Sequence, residues 1–321
     1  MPGSCRPPRM LAPVLDDPDR IKVLLEQTAP HYPVQRYFAN AAEMRSQSGS
    51  GDLFIAPNFR GDWATLEMCV PGVEFLLDNA RLTEAAAALF ESDFVRPWGV
   101  YSNITWQLPF DQGGGHTDVP AFIGVDRSEY PTWFLNAMGH SGLFERYRID
   151  IATAVSWFYR GADGGFCYWP DGPDAPPRVH EGDLFNTGIM GDNDRMYHRV
   201  RPVGDRDRGL PTGLSLDSRL DHDGGKRWAI RTGDRTHAEI EFEELRISVS
   251  WKAYVYRDSA QQRRHEEGIG TLGIDTIVDR FLDDITTRGT QAERPDDPCH
   301  DEAFVELLTK TYVRSPTIFD D

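Results

Sequence analysis

Residues 245 to 256 read LRISVSWKAYVY, and over their first eight positions the pattern alternates without a break. Leu245, Ile247, Val249 and Trp251 fall on one side, and Arg246, Ser248, Ser250 and Lys252 on the other. Successive side chains of a β-strand point to opposite faces. The segment therefore predicts a strand whose apolar face packs on helices while its polar face lines the interior of a barrel.

Other stretches share that character. Tyr101 to Phe110 alternates and is rich in β-formers, with Tyr101, Asn103, Thr105 and Gln107 on one face. Ile151 to Tyr159 predicts another strand, followed by a Gly-containing turn and Gly165 to Trp169. Glu181-Gly182-Asp183 is a tight turn that feeds Leu184 and Phe185. Short strands separated by Gly, Pro and Asp turns predict an all-β barrel or a double-sheet jelly roll.

Helical patterns flank this core. Asp17 to Thr28 predicts a short helix, Gly72 to Phe90 a stronger one, and Ile274 to Ile285 and Asp301 to Tyr312 two more. The tail up to about Pro13 is Pro-rich and reads as loose, and Arg45 to Asp52 reads as a flexible loop. Three regions follow: an N-terminal helical region over 1–95, a β core over 96–258, and a C-terminal helical extension over 259–321. The fold class expected is mainly β with flanking helices.

With 51 acidic against 34 basic residues the net charge is −17, which disfavours nucleic acid or an anionic membrane as a partner. No apolar run approaches the ~20 residues of a membrane span, and the opening MPGSCRPP has no apolar signal core. The expectation is a cytoplasmic protein in which Cys5, Cys69, Cys167 and Cys299 are free thiols.

Two strings carry the chemistry: Gly115-His116-Thr117-Asp118 and Tyr197-His198-Arg199-Val200. Two imidazoles and one carboxylate can occupy one face of an octahedral iron and leave its other positions open. Gly113-Gly114-Gly115 would let the backbone come close and take positive φ. Alone, His-x-Asp also fits a pair on a surface loop, and Asp221-His222-Asp223 is read that way, in a polar stretch without β pattern. Gly268 to Gly273 matches a dinucleotide fingerprint but follows a charged, helix-like run where the fingerprint needs a strand.

The context of the first string resembles the Fe(II)/2-oxoglutarate-dependent oxygenases, in particular their prolyl-4-hydroxylase-like branch. The elements stand in that family's order: His116-Thr117-Asp118, the strand ending in Gly164-Gly165-Phe166, Glu181-Gly182-Asp183, His198-Arg199-Val200-Arg201-Pro202-Val203 and Arg246-Ile247-Ser248. They cover roughly residues 100–256. The resemblance implies a double-stranded β-helix (jelly roll, cupin-like) core, with His116, Asp118 and His198 as metal ligands and catalytic centre. It also implies Arg246, with Ser248 beside it, as the residues that hold 2-oxoglutarate, and the face shared by Tyr101, Asn103, Thr105 and Gln107 offers Asn103 as a further cofactor-binding candidate. A guanidinium can grip a carboxylate through two hydrogen bonds.

One spacing departs from the family. Its basic anchor follows the distal His closely, whereas here an insertion at about 204–239 separates His198 from Arg246, with Arg206 and Arg208 as local competitors.

The activity implied is oxidation, most simply hydroxylation, of an unactivated C–H bond by Fe(II), 2-oxoglutarate and O2, with release of succinate and CO2. Asp118 stands where halogenases of the superfamily carry a small residue, so halogenation is not expected. The partner expected is a small-molecule substrate, such as a secondary metabolite or amino-acid derivative. The alternatives are a hydroxylase of peptide or protein side chains, an oxoglutarate-independent cupin-like metalloprotein, and a non-catalytic β-barrel binding protein.

Overall fold

The computed structural model describes residues 5–37, 55–109, 114–161, 163–225 and 227–317. The 45–52 stretch and Gly113, both singled out above, lie outside them.

In chain order the strands are β1 (Arg9–Leu11), β2 (Tyr32–Pro33), β3 (Asn58–Ala64), β4 (Phe94–Thr105), β5 (Ala121–Phe122), β6 (Arg148–Trp157) and β7 (Phe166–Trp169). They continue with β8 (Arg178–His180), β9 (Thr187–Gly191), β10 (Tyr197–Val200), β11 (Arg219–His222), β12 (Arg227–Thr232), β13 (Arg235–Glu241) and β14 (Arg246–Tyr256). The helices are α1 (Arg20–Gln27), α2 (Glu74–Leu77), α3 (Ala80–Phe90), α4 (Thr132–Ser141), α5 (Ser259–Glu266), α6 (Ile274–Thr287) and α7 (Glu302–Tyr312).

The large antiparallel sheet runs β1-β9-β6-β14-β4-β3-β2, with β5 on β6, and the small one runs β10-β7-β8. An antiparallel bridge between His116 and His198 adds the His116 segment to the free edge of β10. The chain crosses between the two sheets repeatedly: β4 in the large, His116 in the small, β6 in the large, β7 and β8 in the small. It then returns through β9 in the large, β10 in the small and β14 in the large. That alternation is a double-stranded β-helix, as expected.

β14 sits at the centre of the large sheet, between β4 and β6. Its apolar face, Leu245, Ile247, Val249, Trp251, Ala253 and Val255, joins Leu82, Ala86, Leu89 and Phe90 of α3 in one core. The indole of Trp251 donates to the Leu77 carbonyl at 3.1 Å and ties α2 to this face. Burying a large apolar side chain is worth about 1.5–3 kcal/mol, so this two-layer contact holds the strand flat against the helices. The polar face is left to the barrel interior. A second core, with Phe134, Phe281, Ile277, Phe304 and Leu308, welds α4, α6 and α7 together.

Four expectations need correction. From Cys5 onward the tail before Pro13 is not loose: β1 pairs with β9, and Arg6 bridges Asp150 and Asp192 at 3.0 and 3.1 Å. The 72–90 pattern is two helices rather than one, because the Asn79 side chain accepts from the Leu82 amide at 3.2 Å and starts α3 afresh. Asp221-His222-Asp223 is not a solvated loop, since Asp221 and His222 end β11 and the His222 ring lies 4.9 Å from Trp228. β11, β12 and β13 form a separate three-stranded sheet within the stretch read as an insertion. Lastly, the residues before 96 are not helical alone, for they lend β1, β2 and β3 to the large sheet.

The glycine run at 268–273 connects α5 to α6, with no strand leading into it. Cys5, Cys69, Cys167 and Cys299 are not joined in disulfides. Among the described residues no helix is long and apolar enough to cross a membrane.

Candidate metal centre

His116 and His198 are fixed by their backbones before their side chains matter. The His116 amide donates to the His198 carbonyl at 3.0 Å, and the His198 amide returns the bond at 2.9 Å. The two rings stand 4.6 Å apart. Gly115, at φ +84°, turns the chain into this bridge. Asp118 is anchored by its own amide, which donates to the Asn193 carbonyl at 2.8 Å. Ligand atoms of His116, Asp118 and His198 all lie within 4.8 Å of one another.

The tautomer of His198 follows from its neighbour. Nδ1 lies 3.0 Å from the Met196 carbonyl, which can only accept, so Nδ1 carries the proton. Nε2 is then free to ligate, and it faces Asp118 Oδ1 at 3.6 Å. Support of this kind, from outside the ligand set, orients a metal-binding imidazole. The His116 ring is open to water on its cavity side while protein surrounds the cavity. Burial and then the neighbouring His198 push its pKa down, so it is neutral at neutral pH. Burial alone would raise the Asp118 carboxyl, but the Lys252 ammonium and His198 overrule it and hold the group well below the usual carboxylate range.

All six residues singled out from the sequence line one cavity of about 640 Å³: His116, Asp118, His198, Arg246, Ser248 and Asn103. The register explains the last three. Arg246 lies opposite Thr105, and Ser248 opposite Asn103, so β14 and β4 present them side by side. Arg246 is 1% exposed. Its Nε donates to the Gly164 carbonyl at 2.6 Å, while Nη2 is buried with no hydrogen-bond acceptor among the described residues. Burial lowers its pKa to about 10, which leaves the guanidinium charged at neutral pH. A buried cationic donor without a partner is costly, and a carboxylate is what its fork fits best. Arg206 and Arg208 are exposed, and Arg208 pairs with Glu244 at 3.1 Å.

Neighbouring residues divide between the cavity and the core. Tyr101 and Thr105 line the cavity, whereas Gln107 does not. Trp157 and Tyr159 are core residues. Asn186 holds the backbone of Leu15, accepting at 2.9 Å and donating at 2.8 Å.

Several lining residues were missed by the sequence reading. Arg60 and Asp62 of β3 form an ion pair of 2.7 Å, with the guanidinium 3.7 Å from the Tyr101 ring centre. Trp98 and Tyr254 stack at 5.2 Å. Lys252, already placed by the alternation on the polar face of β14, lines the cavity as well. β3 is broken by Gly61 and charged side chains, which hid it.

The donor set and the frame together define a double-stranded β-helix with a candidate two-histidine, one-carboxylate metal site. Those donors fit Fe(II), and the unsatisfied Nη2 of Arg246 fits a carboxylate co-substrate. No protein-family model matches the chain, and no curated protein matches it. Solved structures similar to it include the non-haem α-ketoglutarate-dependent epimerase SnoN from nogalamycin biosynthesis, at 10% identity and TM-score 0.38, covering 77% of each chain. HygX from Streptomyces hygroscopicus, with nickel, 2-oxoglutarate and hygromycin B bound, is 11% identical at TM-score 0.39 over 78% of this chain and 84% of that one. A prolyl hydroxylase from Trichoplax adhaerens, in complex with a peptide fragment, is 8% identical at TM-score 0.38 over 79% and 85%. The likeness lies in the course of the backbone alone.

Proposed function

We propose that the protein is an Fe(II)- and 2-oxoglutarate-dependent dioxygenase that oxidises an unactivated C–H bond of a small organic molecule. The observation that carries this reading is one cavity holding both His116, Asp118 and His198 and Arg246, whose Nη2 is buried without an acceptor among the described residues. His116 and His198 would ligate the metal as neutral imidazoles, and Asp118 as a carboxylate. Arg246 would take the far carboxylate of 2-oxoglutarate, with Ser248 and Asn103 beside it. Bound together, Fe(II), 2-oxoglutarate and O2 supply the oxidising chemistry and release succinate and CO2.

Substrate would occupy the part of the cavity furthest along β14 from Arg246. There Trp98 and Tyr254 provide an aromatic wall, while Tyr101 and the Arg60–Asp62 pair, which neutralises its own charge, line the cavity nearer Ser250 and Ser248. A volume of about 640 Å³ falls within the ~300–1,000 Å³ of small-molecule pockets, which favours a compact substrate over a polypeptide.

The test is turnover of 2-oxoglutarate to succinate by purified protein supplied with Fe(II), ascorbate and O2. Wild type is expected to form succinate, and Asp118→Ala and His198→Ala to form none. Equal turnover by these variants contradicts the proposal. Stimulation by small molecules and not by peptides is expected, and stimulation by peptides alone would sink the small-molecule assignment.

A further inference from the structure

We infer that Lys252 is a positioning residue that restricts Asp118 to a single metal-ligating oxygen. The inference rests on the metal-site reading above and adds to it a role for a residue outside the ligand set.

The Lys252 ammonium lies 2.7 Å from Asp118 Oδ2 and 3.3 Å from Thr153 Oγ1, and the Thr153 hydroxyl itself lies 3.5 Å from Oδ2. Oδ2 is therefore engaged on the β14–β6 side, where Lys252 and Thr153 face each other in register. Oδ1 is the oxygen turned toward His198 Nε2, at 3.6 Å. The carboxylate thus presents one oxygen to the metal position and one to the lysine.

A structural counter-ion would be a poor explanation for this lysine. Once a dication binds, the charge of Asp118 is matched, and an adjacent ammonium repels the metal. What the ammonium still provides is geometry. An octahedral ion has six positions, so two imidazoles and one oxygen leave three open, enough for a chelating oxoacid and one further ligand. If Asp118 chelated through both oxygens, one of those positions would be lost. Lys252 prevents that by occupying Oδ2.

The experiment counts metal-bound waters on the Mn(II)-loaded protein from the broadening of its electron paramagnetic resonance in oxygen-17 water. Wild type is expected to show three, Lys252→Met two, and Lys252→Arg, which keeps a cation on Oδ2, three again. Lys252→Met should also bind Mn(II) about tenfold more tightly and 2-oxoglutarate about tenfold more weakly, the scale of effects from residues that support metal ligands. Two waters in wild type overturn the inference without recourse to any variant. Three waters in Lys252→Met with unchanged affinities overturn it equally, and either result leaves the metal site standing. Failure of wild type to bind Mn(II) at all overturns the metal-site reading itself and this inference with it.

Discussion

Arg246 and Gly164 form the smallest unit on which the site depends. Gly164 has φ +69°, and a Cβ there would meet Arg246 Cδ at 2.5 Å and Nε at 2.7 Å. Its carbonyl accepts from the same Nε. Glycine serves twice here, by its backbone conformation and by its lack of a side chain. Gly164→Ala is expected to cost about 1–3 kcal/mol in urea unfolding and to weaken 2-oxoglutarate binding by displacing the guanidinium. In an Arg246→Ala background the part of that cost due to the clash should vanish, which a double-mutant cycle resolves. Arg246→Ala alone should weaken binding of 2-oxoglutarate to the metal-loaded protein by roughly 10- to 100-fold, the loss of a charge-assisted hydrogen bond. Calorimetric titration checks this, and an unchanged affinity would show that another residue is the anchor.

Among the elements, β14 was readable because its alternation is long and both faces are used, one against α3 and one in the cavity. The sheet β11-β12-β13 was not. Its strands are short and their outer faces carry Arg219, Asp221, Arg227, Glu239 and Glu241, so composition suggested loop. Yet Leu220, Trp228, Ile230 and Ile240 point inward and belong to the same core as the apolar face of β14. This segment is therefore part of what holds the central strand in place. Trp228→Ala is expected to destabilise the protein by about 3–5 kcal/mol, measured by urea unfolding. A loss below 1 kcal/mol would mean that the small sheet is a detachable ornament.

The whole molecule should be acid-sensitive in a defined window. His31 is buried with Nε2 on the Leu25 carbonyl at 3.0 Å and Nδ1 without a partner among the described residues. Burial lowers its pKa from 6.5 to about 4. Between those values the unfolded chain binds a proton that the folded protein refuses, so stability is full above about pH 6.5 and falls as pH drops toward 4. The slope from His31 is up to about 1.4 kcal/mol per pH unit, and His140, lowered to about 4 mainly by burial, adds in the same direction. Urea midpoints measured across pH 4–7 check the trend, and a flat profile contradicts it.

At this scale the legibility of the site has a physical cause. His116, Asp118, His198, Arg246 and Ser248 were proposed because the order of their motifs resembles a known family, and Asn103 because strand period puts it on the polar face of β4. The Arg60–Asp62 pair, Asn193 and the Asp118–Lys252 contact depend on which strands lie side by side, and no local pattern encodes that.

The most direct test of the account is anaerobic titration of the wild-type protein with Fe(II) and 2-oxoglutarate, followed by visible absorption. The account predicts a weak metal-to-ligand charge-transfer band that saturates with 2-oxoglutarate and is absent from His116→Ala. No band in wild type at saturating Fe(II) and 2-oxoglutarate would contradict it.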